Sequence, residues 1–464
     1  MPGKKCHVLL LSFPAFGHII PILELARKVA KHHTVTLALS ESKIAEMMKK
    51  EIFSNESTEN IKLLPIKDKA VGDFDNPDNH KAAFEIVFTS IMPSAQHLLA
   101  TIPRPDGTGD RELWDCQPVD VVIADNFLAG PLQTCRERGI PFYCFNTAAL
   151  WLTRYFALMK DDAPIIAMEE VDPFHTLPGP NDPPLAFAAP FLKFFGTVRK
   201  IWPYAQGMIH NSFEAFDKDE LELLRRHPDM QHLSHFLVGP LLPESAGKVS
   251  DTDLALSEKV KNWLAKQEPR EVVYVSFGTM AVPVPEQITQ LANALISLNK
   301  PFIWSLRETK HQFLPEDIRE KISGQFENSS RFLILNWAPQ KMILADPAIA
   351  AVVTHGGWNS TLETLTNGLP LVCWPMFADQ LVNARWLVKA GAAEMLEGTG
   401  MKPKRVVPAQ EIADIIVKVS GHASGEPYRT AAKQWQKEIA AAIGSGGSSS
   451  NDIARLCAFK EVQG

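Results

Sequence analysis

His18 stands where a side chain could take a proton from a substrate. It lies in Ser12-Phe13-Pro14-Ala15-Phe16-Gly17-His18, directly after the apolar run that starts at Cys6. If that run is the first strand of an open α/β sheet, the loop leaving it lies at the carboxyl edge, where such sheets bind ligands. Imidazole titrates near neutrality and can serve as general base toward a hydroxyl. A second constellation is Thr354-His355-Gly356-Gly357-Trp358-Asn359-Ser360, between the apolar run Ala348 to Val353 and a helical stretch ending near Asn367-Gly368. A strand, a glycine-rich turn and a helix N-terminus together offer backbone N–H groups and the positive end of a helix dipole. Such a junction suits a diphosphate without a metal.

These groups need strands and helices to hold them. Both halves of the chain alternate short β-branched runs with helical patterns, the signature of parallel sheets covered by helices on both faces. In the first half the strands are expected at Cys6 to Ser12, Thr34 to Leu39 and Val119 to Ala124, with a helix starting around Pro21. In the second half they are expected at Val272 to Phe277, Phe302 to Leu306, Phe332 to Leu335, Ala350 to Thr354 and Pro370 to Trp374. A chain of 464 residues exceeds one compact core. The polar stretch from Pro243 to Asp253 is the expected boundary.

The 44 residues from Trp337 to Gln380, WAPQKMILADPAIAAVVTHGGWNSTLETLTNGLPLVCWPMFADQ, carry a more specific signal. They resemble, without a gap, the donor-binding box of plant-type family 1 UDP-glycosyltransferases. Trp337, Gln340, His355, Gly357, Trp358, Asn359, Ser360, Glu363, Pro370, Asp379 and Gln380 all stand at that family's spacing. The resemblance implies an α/β fold of GT-B type, two Rossmann-like domains with parallel sheets facing across a cleft. It divides the chain into an acceptor domain (1–242), a linker (243–255), a UDP-sugar domain (256–445) and a C-terminal segment (446–464). In that segment a helix of about Ser450 to Lys460, after a flexible Gly444 to Ser449, packs back on the first domain.

The same resemblance implies residue roles. Trp337 would stack on uracil, with main-chain groups near Ala338 reading its edge. An indole face suits a flat base, and the Glu363 carboxylate suits two vicinal ribose hydroxyls. His355 would donate to a phosphate oxygen, while Asn359, Ser360, Ser276 and Thr279 would hold the diphosphate. Gln340, Ser305 and Trp358 complete the donor set, and Thr147 would reach the 6-hydroxyl of the sugar. His18 would be the general base of an inverting transfer, with Asp125 as the carboxylate that fixes its tautomer. Asp379 and Gln380 would bind the 2-, 3- and 4-hydroxyls. In this family Gln at the last position accompanies glucose, because a neutral amide can both donate and accept. UDP-glucose is therefore the expected donor, with no bound cofactor or metal. The family usually carries Cys where this chain has Gly356, and a second glycine is expected to loosen the turn.

Of 25 phenylalanines, 18 precede residue 243. A pocket lined by Phe16, Phe88, Phe127, Trp151 and Phe377 would suit a flat apolar phenol. From Tyr274 to Gln380 the chain is most similar to flavonoid 3-O-glucosyltransferases, though a terpenoid alcohol is an equal fit.

Composition excludes other classes. A net charge of −6 with no sustained basic run argues against nucleic acid. No apolar run approaches the roughly 20 residues of a membrane span, and the short run after Lys4 and Lys5 reads as a strand, not a leader. Six scattered cysteines read as buried thiols of a reducing compartment, so a cytoplasmic monomer acting on small molecules is expected. Asp73-Phe74-Asp75 and Asp251-Thr252-Asp253 have metal-binding spacing but read as loop and linker carboxylates. G-x-S-x-G and G-x-G-x-x-G elbows are absent from the required places. The rival reading is a non-catalytic sugar-nucleotide-binding or scaffold protein of the same fold.

Overall fold

The computed structural model describes residues 5–49, 60–68, 85–104, 106, 108–115, 117–158, 196–243, 251–278, 281–323, 331–400 and 405–459. The contacts divide the chain into two units, the first reaching to the linker region and resuming at Ala441, the second ending at Ala440. Thr279, Cys116 and the Asp73–Asp75 motif lie outside the described residues.

Among the described residues of the first unit, seven parallel strands form one sheet in the order β3-β2-β1-β4-β5-β6-β7. They are β1 His7–Leu11, β2 Thr34–Ser40, β3 Ile61–Ile66, β4 Val121–Asp125, β5 Phe142–Asn146, β6 Gly207–His210 and β7 Ser234–Leu237. The strand order reverses between β1 and β4, which run side by side with Leu11 opposite Ala124. The second unit has six parallel strands in the order β10-β9-β8-β11-β12-β13. These are β8 Val272–Ser276, β9 Phe302–Ser305, β10 Phe332–Leu335, β11 Ile349–Thr354, β12 Leu371–Cys373 and β13 Ala393–Met395. Here the order reverses between β8 and β11. Each unit is thus a Rossmann-like sheet with its own switch point, the crevice where open α/β sheets take ligands.

Burial explains the sequence pattern. On β8, Val273 and Val275 pack into one apolar cluster with Ile288, Leu291, Ile412 and Ile416. Val272 and Tyr274 join another with Val260, Leu264 and Ile343. Alternate residues therefore serve opposite faces, and a strand covered on both faces is apolar throughout.

Two expected boundaries need correction. The first helix begins at Phe16, not near Pro21, and runs to Ala30, so His18 rides on its first turn instead of a loop. Burial of Ile19, Ile22, Leu23 and Leu25 outweighs the cost of an internal proline. Asp251 already opens the helix Asp251–Leu264, which shortens the expected linker and places Asp251-Thr252-Asp253 within a helix.

The C-terminal helix, Ser448–Cys457, starts two residues earlier than expected and belongs to the first unit. It covers the open edge of β7: Asp452 Oδ2 accepts from the Leu237 N–H at 2.7 Å, and Arg455 donates to the His235 carbonyl at 2.5 Å. Edge strands left uncovered invite intermolecular pairing. His33 ties the same helix to β1, accepting from the Cys6 N–H through Nδ1 and contacting the Cys457 carbonyl through Nε2 at 2.7 Å.

Cys135, Cys144, Cys373 and Cys457 are buried free thiols, whereas Cys6 is only half-buried. Burial pushes the Cys135 and Cys373 thiols up to about 12 and keeps them protonated. No described helix is long and apolar enough to cross a membrane.

Candidate active site

The switch point of the first unit holds an assembled acid–base pair. Asp125 ends β4 and is fully buried; its Oδ1 accepts from the Phe127 N–H at 2.8 Å, capping the short turn Asn126–Leu128. Its Oδ2 accepts from His18 Nδ1 at 2.8 Å. The carboxylate is thus both a structural cap and the partner of the imidazole. Holding the proton on Nδ1 leaves the lone pair on Nε2, the tautomer a general base requires. His18 keeps 19% of its side chain exposed, enough to meet a substrate.

Aromatic rings flank this histidine. Phe127 stands edge-on at 4.7 Å between centroids and Phe13 is tilted at 4.9 Å. Phe127 was expected at the site; Phe13 was not, although it lies in the same quoted segment. Thr147, expected to reach a sugar hydroxyl, has its Oγ1 3.2 Å from His18 Nδ1. Among the other expected acceptor contacts, Phe16 and Phe88 are half-buried in the first unit. Trp151 is a correction. It is fully buried within the helix Leu150–Leu158, so its indole belongs to the core and presents no surface to a ligand. Phe377, half-buried, packs on the core of the second unit.

In the second unit the expected donor residues gather at strand ends. Ser276 lies in register with both Thr354 on β11 and Ser305 on β9, and Ser305 with Leu335 on β10. His355 follows β11 and Trp337 follows β10 by one intervening residue, so four neighbouring strands deliver these groups to one edge. Trp337 is 55% exposed, a large apolar face offered to solvent. Ala338 beside it is buried, its carbonyl accepting from the Gln340 N–H at 2.7 Å.

The glycines of the turn make room for His355. A Cβ on Gly357 would lie 2.4 Å from His355 Nε2, and one on Gly278 3.0 Å from Cε1. Burial pushes the imidazole down to about 4, so it is neutral near pH 7. Thr354 Oγ1 lies 3.3 Å from Nδ1. When that hydroxyl donates, the single ring proton resides on Nε2 and can be given to an anion. Trp358 opens the helix Trp358–Thr366, with Gly357 as its cap and no capping side chain. Its first internal bond is from Thr361 N–H to the Gly357 carbonyl at 2.9 Å. The first-turn N–H groups of an α-helix point outward along its axis, the arrangement that suits a diphosphate.

Gly356 corrects an expectation. Its φ is +76°, in the left-handed region that side chains avoid. Glycine therefore suits the turn, and does not merely loosen it. Gly356→Ala should lower stability by about 1–2 kcal/mol, read as a fall in melting temperature; an unchanged melt would mean the turn relaxes at no cost.

Two amides in the box are oriented by hydrogen bonds within the protein. Gln340 accepts from the Tyr274 hydroxyl at 3.0 Å and donates to Glu363 Oε2. It orients the carboxylate, whose pKa burial raises even as this hydrogen bond opposes the shift. Gln380 is buried, and its Oε1 accepts from the N–H groups of Met376 and Phe377 at 2.9 and 3.1 Å. With both lone pairs engaged, the amide can only donate outward, not both donate and accept. Asp379 directly precedes the helix Gln380–Lys389, after Ala378 with a strained φ of +54°.

Comparison with known proteins bears on the fold. A family model described as UDP-glucoronosyl and UDP-glucosyl transferase matches residues 204–415. UDP-glycosyltransferase 84A1 of Arabidopsis thaliana is 26% identical over 96% of this chain and 92% of its own length. Linamarin synthase 1 of Manihot esculenta is 26% identical over 99% and 98%. The crystal structure of UGT71G1 from Medicago truncatula, complexed with UDP-glucose, superposes with a TM-score of 0.79 at 23% identity, covering 98% of both chains. The fold is therefore of GT-B type, and over nearly its whole length the chain is similar to plant-type family 1 UDP-glycosyltransferases.

Proposed function

We propose that this glycosyltransferase moves glucose from UDP-glucose to a hydroxyl of a small apolar acceptor such as a flavonoid or other phenol, with inversion at the anomeric carbon. The observation that carries the reading is the His18–Asp125 pair, oriented by a 2.8 Å hydrogen bond and flanked by Phe13 and Phe127. A protein that only bound sugar nucleotides would have no use for an oriented base beside apolar rings. On this reading His18 Nε2 takes the acceptor proton as the oxygen attacks the anomeric carbon, and UDP leaves with the bonding pair. The charge growing on UDP is met by the N–H groups at Trp358–Ser360 and by neutral His355. Fixed donors of this kind need no reorganisation during the reaction and can be worth several kcal/mol.

UDP release from UDP-glucose, measured over a panel of phenols and terpenoid alcohols with and without excess chelator, tests the reading. Acceptor-dependent release that survives chelation supports it. Release abolished by chelator and restored by Mg²⁺ or Mn²⁺ would revive the two Asp-x-Asp motifs, and no release with any acceptor would favour the binding-protein alternative.

Donor choice is tested at Gln380. Gln380→Glu keeps an oxygen for the Met376 and Phe377 N–H groups but removes the outward donor. It should lower kcat/KM for UDP-glucose about 5- to 150-fold, the scale of one buried hydrogen bond, with UDP affinity little changed. A wild-type preference for UDP-galactose or UDP-glucuronate in direct competition would overturn the glucose assignment.

A further inference from the structure

We infer that Asn383 is a positioning residue for the donor sugar, tying the Asp379 carboxylate to the diphosphate turn; the inference rests on the donor reading of the second unit. Asn383 is buried on the helix Gln380–Lys389, three residues beyond the end of the box. Its Nδ2 donates to the Gly356 carbonyl at 3.0 Å and to Asp379 Oδ2 at 2.8 Å. An amide nitrogen carries two hydrogens, and these two acceptors match them. One acceptor lies in the turn that opens the helix at Trp358, the other on the acid expected to read the sugar.

The backbone is shaped for this bridge. Gly356 adopts φ +76° and comes so close to the helix start that a Cβ would lie 3.3 Å from the Gln380 carbonyl. Helical spacing then places Asn383 over Asp379, its own N–H bonded to the Asp379 carbonyl at 3.0 Å. Anchoring Oδ2 restricts rotation of the carboxylate about its Cβ–Cγ bond before a sugar arrives. A carboxylate that must meet two neighbouring hydroxyls together gains most from such preorganisation. Asn383 thereby sets how much the hexose adds to the affinity of the nucleotide, without touching either.

Wild type, Asn383→Ala, Asp379→Ala and the double variant can be titrated calorimetrically with UDP and with UDP-glucose, with thermal melts in parallel. Asn383→Ala should reduce affinity for UDP-glucose relative to UDP about tenfold, the scale of a hydrogen bond to a charged group. UDP affinity itself should change less than about twofold, and KM for UDP-glucose should rise more than kcat falls. In the Asp379→Ala background the same substitution should leave the UDP-glucose to UDP ratio unchanged, because Asn383 acts through that carboxylate. Should the alanine variant not fold, Asn383→Leu keeps the branched shape, removes the donors without adding a charge and must give the same pattern. Equal losses for UDP and UDP-glucose, or the same loss in both backgrounds, would overturn the inference and leave Asn383 a brace of the turn. A wild-type protein that binds neither ligand would instead remove the donor reading on which it rests.

Discussion

His18→Ala is expected to lower turnover by about 10²- to 10⁴-fold, the range for loss of a general base. The size follows from what remains. Asp125 keeps its bond to the Phe127 N–H and Thr147 stays nearby, but a buried carboxylate hydrogen-bonded to backbone is a poor replacement base. UDP-glucose affinity should hold, since Trp337, His355 and Asp379 belong to the second unit with its own sheet and core. Steady-state kinetics beside calorimetric donor titration separates the two quantities. Near-normal turnover would remove His18 from the mechanism, whereas a parallel loss of donor binding would point to a folding defect.

The candidate donor residues of the second unit were legible in the sequence because they are nearly contiguous. The run ending in Thr354 is apolar and β-branched throughout, and β11 is buried along its whole length. A glycine-rich turn followed by a helix start then leaves little freedom in where His355 and Ser360 can stand. The candidate pair of the first unit is different. His18 and Asp125 are 107 positions apart, and only the order β2-β1-β4 makes their strand ends neighbours. Local periodicity can mark both strand ends but not their adjacency, which the family resemblance supplied.

Misreadings have local physical causes. Pro21 resembles a helix start because proline fits the first turn, yet packing of Ile19 and Ile22 extends the helix backward to Phe16. His18 is therefore held by a helix, a firmer platform than a loop. Trp151 was counted by composition, and aromatic density does not distinguish a core from a pocket wall. Gln380 stands at a position read as both donating and accepting, but its oxygen is committed to the Met376–Phe377 backbone, and Gln340 is held between Tyr274 and Glu363. Asn383 did carry a signal: it lies four residues after Asp379 on a helical pattern, the spacing at which side chains meet.

Asp125→Asn isolates the second half of the catalytic pair, because the substitution can keep the cap and change only the proton. The asparagine carbonyl oxygen can still accept from the Phe127 N–H, so the turn Asn126–Leu128 should survive. Its amide nitrogen then faces His18 Nδ1 and offers hydrogens where the carboxylate offered a lone pair. The imidazole responds by accepting at Nδ1 and carrying its proton on Nε2, which removes the lone pair from the substrate side. By analogy with the serine-protease triad, where the equivalent change costs about 10⁴-fold, turnover should fall by roughly 10³ to 10⁴ with little change in melting temperature. Asp125→Ala should lose activity to a similar degree and in addition about 1 kcal/mol of stability, the typical contribution of a cap. Kinetics and thermal melts on the two variants together therefore separate tautomer control from capping. Full activity in Asp125→Asn would reduce this carboxylate to a cap, and His18 would then have to act as base without an anionic partner to hold its tautomer.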